Sequence, residues 1–148
     1  FDPLNQGYNV AQAIIAVGSG RLLGRGIGFG SQSQLKFLPE SQNDFIFAVI
    51  SEELGFLGIA SVLTFFSILF FRSMLSIKRV KDDFGIFFIL GAMSLIFIEM
   101  FINIGMNMGL LPVVGIPLPL VSYGGSAMIS NLIMLGVVQS IILRSRIR

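Results

Sequence analysis

The chain has 148 residues, of which 54% are hydrophobic and only 12% charged, with a formal net charge of +2. Soluble domains run at about 45–50% apolar and about 25% charged residues, so much of this surface must face something other than water; the mean hydropathy of +0.87 agrees. Cysteine and histidine are both absent, which excludes disulfides, thiol nucleophiles, the usual zinc sites and any His-based triad. The charge is too small to argue for a nucleic-acid partner. Chemistry is left to carboxylates, Lys and Arg, hydroxyls, amides and backbone.

The chain opens at Phe1, without an initiator Met or a basic-then-apolar leader, and closes on Arg144-Ser145-Arg146-Ile147-Arg148. This pattern is expected of the C-terminal part of a larger membrane protein. Residues 8–17 carry a helical apolar pattern, Val10, Ala13, Ile14 and Val17, with Gln6, Asn9 and Gln12 offset from it. Such a helix either lies along a membrane interface or dips into the protein. Residues 18–30 then place glycine at 18, 20, 24, 26, 28 and 30 around Arg21 and Arg25. Glycine frees the backbone to present N–H groups to an anion, so a pyrophosphate suits this segment; a flexible loop with two solvated arginines is the plainer alternative. A dinucleotide fold is not indicated, for want of a preceding strand and a βαβ unit.

Lys36-Phe37-Leu38-Pro39-Glu40 leads into Ser41-Gln42-Asn43-Asp44, directly before Phe45-Ile46-Phe47. Ser41, Asn43 or Asp44 is placed to cap the helix that follows. Asp44 also stands where water meets the membrane, near the positive end of a helix dipole. It is therefore either a cap or a carboxylate at a membrane-facing cleft.

Three apolar stretches are long enough to cross a bilayer, which takes roughly 20 helical residues: residues 54–71, extended upstream by 45–50, then 84–108 and 126–143. Residues 62–71 and 86–98 offer no polar face to water. The fold class expected is an all-α polytopic membrane protein, with residues 1–44 as a large extracytoplasmic loop and residues 45–148 as three transmembrane helices. Arg72, Lys78, Arg79 and Lys81 lie between the first two spans and Arg144, Arg146 and Arg148 follow the third. By the positive-inside rule both groups are cytoplasmic, which puts residues 1–44 and the uncharged loop of residues 109–123 outside.

Glu52-Glu53 interrupts the first apolar stretch, and Glu99, Asn103 and Asn107 recur at i+4 in the second. Charged groups at the bilayer centre cost about 2.5–3.5 kcal/mol on insertion scales and usually face protein or a wet cavity. The stripe is expected to face helices outside this chain, by interhelical hydrogen bonding or on a transport or catalytic path. Residues 109–125 are apolar, yet Pro112, Pro117, Pro119 and Gly124-Gly125 forbid a continuous helix. Broken backbone at membrane depth survives where protein or a cavity takes up its polar groups, so this loop is expected to re-enter and wall a cleft below Asp44, with Ser122, Tyr123 and Ser126 as polar contacts.

Gln12-Ala13-Ile14-Ile15-Ala16-Val17-Gly18-Ser19-Gly20, Gly24-Arg25-Gly26-Ile27-Gly28, Gln32-Ser33, Phe37-Leu38-Pro39-Glu40 with Asp44-Phe45-Ile46-Phe47, Glu52-Glu53-Leu54-Gly55-Phe56, Asn103-Ile104-Gly105-Met106, and Pro112-Val113-Val114-Gly115-Ile116-Pro117-Leu118-Pro119 with Ser122-Tyr123-Gly124-Gly125-Ser126 together resemble the SEDS (shape, elongation, division, sporulation) family. Gln32-Ser33 looks like the RodA branch, and Val114 stands where the FtsW branch typically has lysine. The resemblance implies a ten-helix membrane enzyme that polymerises lipid II, an undecaprenyl-pyrophosphate-linked disaccharide-peptide, beside a single-span class B penicillin-binding protein. The family's catalytic Asp falls on Asp44. Two departures stand out: the family usually reads His-Thr-Asp where this chain has Gln42-Asn43-Asp44, and Glu99 replaces a common glutamine.

On this reading Asp44 takes a proton from the acceptor's sugar 4-hydroxyl in one inverting displacement. The candidate substrate contacts are Arg21, Arg25, Lys36, Glu40, Ser122, Tyr123 and Ser126. Arg21, Arg25, Lys36, a divalent cation or arginines elsewhere are candidates to receive the leaving pyrophosphate; no cofactor is required by the sequence. Grooves between the spans would hold lipid tails. A lipid flippase or transporter and a non-catalytic scaffold of the wall-synthesis complex are the competing readings. The 148 residues alone are expected to be inactive.

Overall fold

The structure, a computed structural model, describes residues 6–26 and 44–147. The described residues fold into α1 (Gln6–Ser19), α2 (Ile46–Ile77), α3 (Asp83–Asn107) and α4 (Gly125–Ile147). The last three are long and apolar enough to cross a membrane. They run up, down and up: Ala48 at the start of α2 bonds to Asn107 at the end of α3, and Gly85 at the start of α3 lies against Ile141 near the end of α4. Asp82 caps α3, its carboxylate accepting from the Gly85 N–H at 3.3 Å, so the turn between α2 and α3 is tight.

The helices meet along narrow stripes. Phe66 of α2, Ile89, Met93 and Ile96 of α3 and Val138 of α4 form one buried cluster, which also takes in Leu118 from the loop after α3. Phe70 and Phe97 meet edge to face across α2 and α3, with ring centroids 5.8 Å apart. The other faces stay apolar and exposed, as at Phe84, Phe87 and Phe101, which suits lipid or further apolar protein rather than water.

α2 is the element that sequence reading placed least well. It begins at Ile46 and continues past Phe71 to Ile77. Its 32 residues would span about 48 Å at 1.5 Å per residue, more than a bilayer's roughly 30 Å core. It is broken inside, at Gly55 (φ 63°, ψ −153°), just after the glutamate pair. The part beyond the break is about 33 Å long, a fit to one crossing.

A helix broken there strands four backbone groups, the carbonyls of Glu52 and Glu53 and the N–H groups of Phe56 and Leu57, and each would cost several kcal/mol unpaired in an apolar setting. The loop after α1 supplies all four partners. Arg25 and Gly26 N–H donate to the Glu52 and Glu53 carbonyls at 2.9 and 3.0 Å, while Phe56 and Leu57 N–H donate to the Arg21 and Leu22 carbonyls at 2.9 and 3.4 Å. The loop is thereby spliced into the helix. Glycine is needed because the two backbones touch: a Cβ on Gly24 would collide with the Glu53 carbonyl, and one on Gly55 with the Gly24 nitrogen. α1 accordingly dips into the protein, with Ala13 and Ala16 fully buried against Phe45 and Ala48.

Gly24→Ala is expected to destabilise the detergent-solubilised protein by more than about 2 kcal/mol, since rigid backbone rather than a flexible side chain must give way. Gly136→Ala, whose Cβ meets nothing within 4 Å, serves as the control with an unchanged thermal unfolding midpoint. Equal midpoints for the two variants would rule out the splice as a source of stability.

Candidate functional site

Asp44 is half-buried at the turn that enters α2, and Phe45 behind it is buried. Phe45, not Asp44, occupies the N-cap and has no side-chain cap to offer. The orphan N–H in the first turn of α2, at Ala48, is taken instead by Asn107 Oδ1 at 3.3 Å. An isolated helix start uses its own Ser, Asp or Asn for this; here a fully buried amide on another helix does it. Of the cap candidates, Ser41 and Asn43 lie outside the described residues; at Ala48 the bond comes from Asn107 rather than Asp44, which is possible because the end of α3 packs against the start of α2.

The same two asparagines hold the backbone of Asp44. Its carbonyl oxygen accepts from Asn103 Nδ2 and from Asn107 Nδ2, each at 3.0 Å. Asn103 Nδ2 also donates to the Ile116 carbonyl at 2.8 Å, and Asn107 Nδ2 to the Asn103 carbonyl at 2.8 Å. Asn103 and Asn107 therefore face this chain's own α2 entry and loop, which corrects the expectation that the stripe faces other helices. Glu99 diverges from them, accepting from Asn131 Nδ2 of α4 at 3.2 Å. The divergence follows from helix geometry: each i+4 step overshoots a full turn by about 40°, so Glu99 and Asn107 differ by about 80°.

The loop of residues 108–124 contains no helix and turns back among the helices, as its prolines require. Gly115 (φ 69°) brings the loop to Asp44: the atom nearest to its Cβ position is Asp44 Oδ2, at 3.4 Å. Farther on, Leu118 is buried in the helical core and the loop closes on itself. Leu118 N–H donates to Ser122 Oγ at 2.7 Å, and Ser122 N–H donates to the Leu118 carbonyl at 2.9 Å. Ser122 is buried, whereas Tyr123 is 79% exposed and Ser126 is exposed at the start of α4.

Asp44, Asn103, Asn107, Gly115 and Ile116 thus form one cluster. The Gly/Arg loop is a separate feature. The side chains of Arg21 and Arg25 are exposed, but the backbone N–H groups of Gly24, Arg25 and Gly26 all donate to carbonyls of this chain. Any anion contact from this described stretch falls to the guanidiniums, not to the glycine backbone. Arg25 joins α2 at Glu52, about 12 Å along the helix from Asp44; Arg21 joins it at Phe56, about 18 Å away. Lys36 and Glu40, with Gly28, Gly30, Ser41 and Asn43, lie outside the described residues. Among the described residues no group of three or more His, Cys, Asp or Glu is placed to hold a metal ion.

A lateral groove of about 930 Å³ between α2 and α4 is lined by Phe65, Leu69, Leu135 and Ile142 with Arg72 and Arg79. It sits toward the far end of α2, its near edge roughly 30 Å along the helix from Asp44, and shares no residue with the Asp44 cluster.

Up-and-down apolar helices, a helix-free Pro/Gly loop packed among them and a carboxylate where the two meet define a membrane protein with a polar site at one end. The FtsW/RodA/SpoVE cell cycle protein family model matches residues 1–147, and the chain belongs to that family. It is 51% identical over 140 residues to the peptidoglycan glycosyltransferase MrdB of Escherichia coli strain K12, covering 95% of this chain and 38% of that protein. It is 46% identical over 147 residues to stage V sporulation protein E of Bacillus subtilis strain 168, covering 98% of this chain and 39% of that one. A solved chain from work on the structural coordination of polymerization and crosslinking by a peptidoglycan synthase complex superposes with a TM-score of 0.71 at 32% identity, over 99% of this chain and 38% of that chain. The chain thus spans well under half the length of these relatives.

Ser122→Ala leaves the buried Leu118 N–H without its acceptor and is expected to destabilise the protein by about 1–3 kcal/mol, read as a lower thermal unfolding midpoint in detergent. An unchanged midpoint with a raised KM for substrate would instead make Ser122 a substrate contact.

Proposed function

We propose that this chain forms the acceptor-activating end of a peptidoglycan glycosyltransferase that polymerises lipid II at the outer face of the cytoplasmic membrane, with Asp44 as general base. The observation that carries this reading is the position of the Asp44 carboxyl. Asp44 is half-buried at the entry to α2, on backbone fixed by two buried amides, and its carboxyl faces a residue with no side chain. The naming of relatives such as MrdB as peptidoglycan glycosyltransferases supplies the reaction class.

The step balances simply. Asp44 accepts the proton of the acceptor's sugar 4-hydroxyl as that oxygen attacks the anomeric carbon of the donor. A β-glycosidic bond forms, the α bond to undecaprenyl pyrophosphate breaks, and the diphosphate leaves with its electron pair. A base in this position contributes about 10²–10⁴-fold. The diphosphate needs positive charge nearby; Arg25 lies closer to Asp44 along α2 than Arg21, and Lys36 is a further candidate. A divalent cation would add Lewis-acid stabilisation of the same leaving group.

Sidedness follows from charge. Arg72, Lys78, Arg79 and Lys81 are all exposed at the end of the bundle opposite Asp44, and cytoplasmic ends carry the basic excess. A class B penicillin-binding protein is the proposed partner, since the similar solved chain comes from a complex that couples polymerization to crosslinking. Val114 and the Gln32-Ser33 pair favour the elongation branch over division.

In the whole protein, Asp44→Asn is expected to lower the polymerisation rate on purified lipid II by at least about 100-fold while lipid II binding persists. Polymerisation at the normal rate excludes the role; transbilayer movement of labelled lipid II without polymer favours the flippase reading. This chain contains no cysteine, so Tyr123→Cys and Lys78→Cys report sidedness directly. A membrane-impermeant maleimide applied to intact spheroplasts is expected to label the first and spare the second; the reverse pattern would invert the topology.

A further inference from the structure

We infer that Asn103 and Asn107 are positioning residues for the proposed base, setting from a different helix where the Asp44 carboxyl sits and how far it stands from the Pro/Gly loop. The inference rests on the reading of Asp44 as the base.

At the start of α2, the capping contact is made by Asn107 Oδ1, which accepts from Ala48 N–H. The Nδ2 groups do something that capping does not need. They converge on the carbonyl of Asp44, which precedes the N-cap Phe45 and belongs to no helical ladder. A carbonyl oxygen has two lone pairs, and these two donors occupy both. Water could have satisfied this carbonyl in an exposed turn. Instead two amides that are each 0% exposed are held in a largely apolar helix, where burying polar groups is unfavourable unless they are bonded.

The orientation of each amide is fixed. Turning the Asn107 amide over would set Nδ2 against the Ala48 N–H and Oδ1 against the Asp44 carbonyl, two like pairs at once. Asn103 ties the arrangement to the loop, since its Nδ2 bridges the carbonyls of Asp44 and Ile116. Ile116 adjoins Gly115, which lies against Asp44 Oδ2. One side chain therefore fixes the backbone of Asp44 and the loop against which its carboxyl lies. Catalytic rates are sensitive to such placement: a displacement of about 1 Å can cost about 100-fold.

The test uses the whole protein with purified lipid II and rates normalised to the fraction of protein that binds lipid II, so that lost fold lowers the amount of active protein and not the rate per site. Asn103→Ala is expected to lower kcat about ten- to hundredfold with KM within about twofold, and Asn103→Ser, which keeps a hydroxyl donor, to recover part of the loss. In an Asp44→Asn background, adding Asn103→Ala is expected to lower the residual rate no further, because a positioning group has nothing left to position. Wild-type kcat in Asn103→Ala, a raised KM at unchanged kcat, or the same proportional loss in the Asp44→Asn background would each overturn the inference while leaving the base reading intact. Full activity of Asp44→Asn alone would remove the base reading itself.

Discussion

Backbone polar groups buried away from water must find partners within protein, and the architecture of this chain follows from where that requirement is hardest to meet. It is hard at three places: the break at Gly55, the first turn of α2, and the helix-free loop after α3. The first two are satisfied by residues distant in sequence, the third by Asn103 and by the loop itself. The Gly20 to Gly26 stretch closes the break, Asn107 caps α2, and Asn103 and the Leu118–Ser122 turn hold the loop. The polar contacts that make the irregular backbone tolerable are also those that define the site.

This economy explains why a carboxylate can be held firmly at a helix entry without being the cap. A capping aspartate directs its carboxyl inward, at the first N–H groups of its own helix. With Asn107 in that role, the backbone of Asp44 is anchored through its carbonyl. The carboxyl meets Gly115 instead. In the proposed reaction this leaves the group at the boundary between protein and the approaching sugar, where proton transfer requires it.

Much of the fold was legible in sequence because it depends on local pattern. The apolar runs gave the three long helices, the Val10, Ala13, Ile14 and Val17 spacing gave α1, and three prolines with paired glycines gave the broken loop. The i+4 recurrence of Asn103 and Asn107 marked a polar face. What it faced was not legible, because Asp44 lies 63 residues from Asn107 and no local rule pairs them. Gly55, like Gly58, stands in an apolar run, where a glycine is ordinarily tolerated within a helix; only the docking of Arg21, Leu22, Arg25 and Gly26 on either side of it makes it a break. The same docking takes up the N–H groups of Arg25 and Gly26, in a stretch whose glycines, read alone, suit an anion. Asp44 was singled out for its place at the helix entry and for the family pattern, and the structure adds the partners that fix it.

The central claim is that the Asp44 carboxyl meets the acceptor sugar's 4-hydroxyl at the outer end of the bundle. It is tested most directly by a high-resolution cryo-EM structure of the whole protein in a lipid nanodisc with lipid II bound at both donor and acceptor positions. The account predicts an Asp44 carboxylate oxygen within hydrogen-bonding reach of that hydroxyl, about 2.6–3.2 Å, with the Asn103 and Asn107 amides still on the Asp44 carbonyl. An acceptor hydroxyl served by another group, with Asp44 turned away from both sugars, would contradict it.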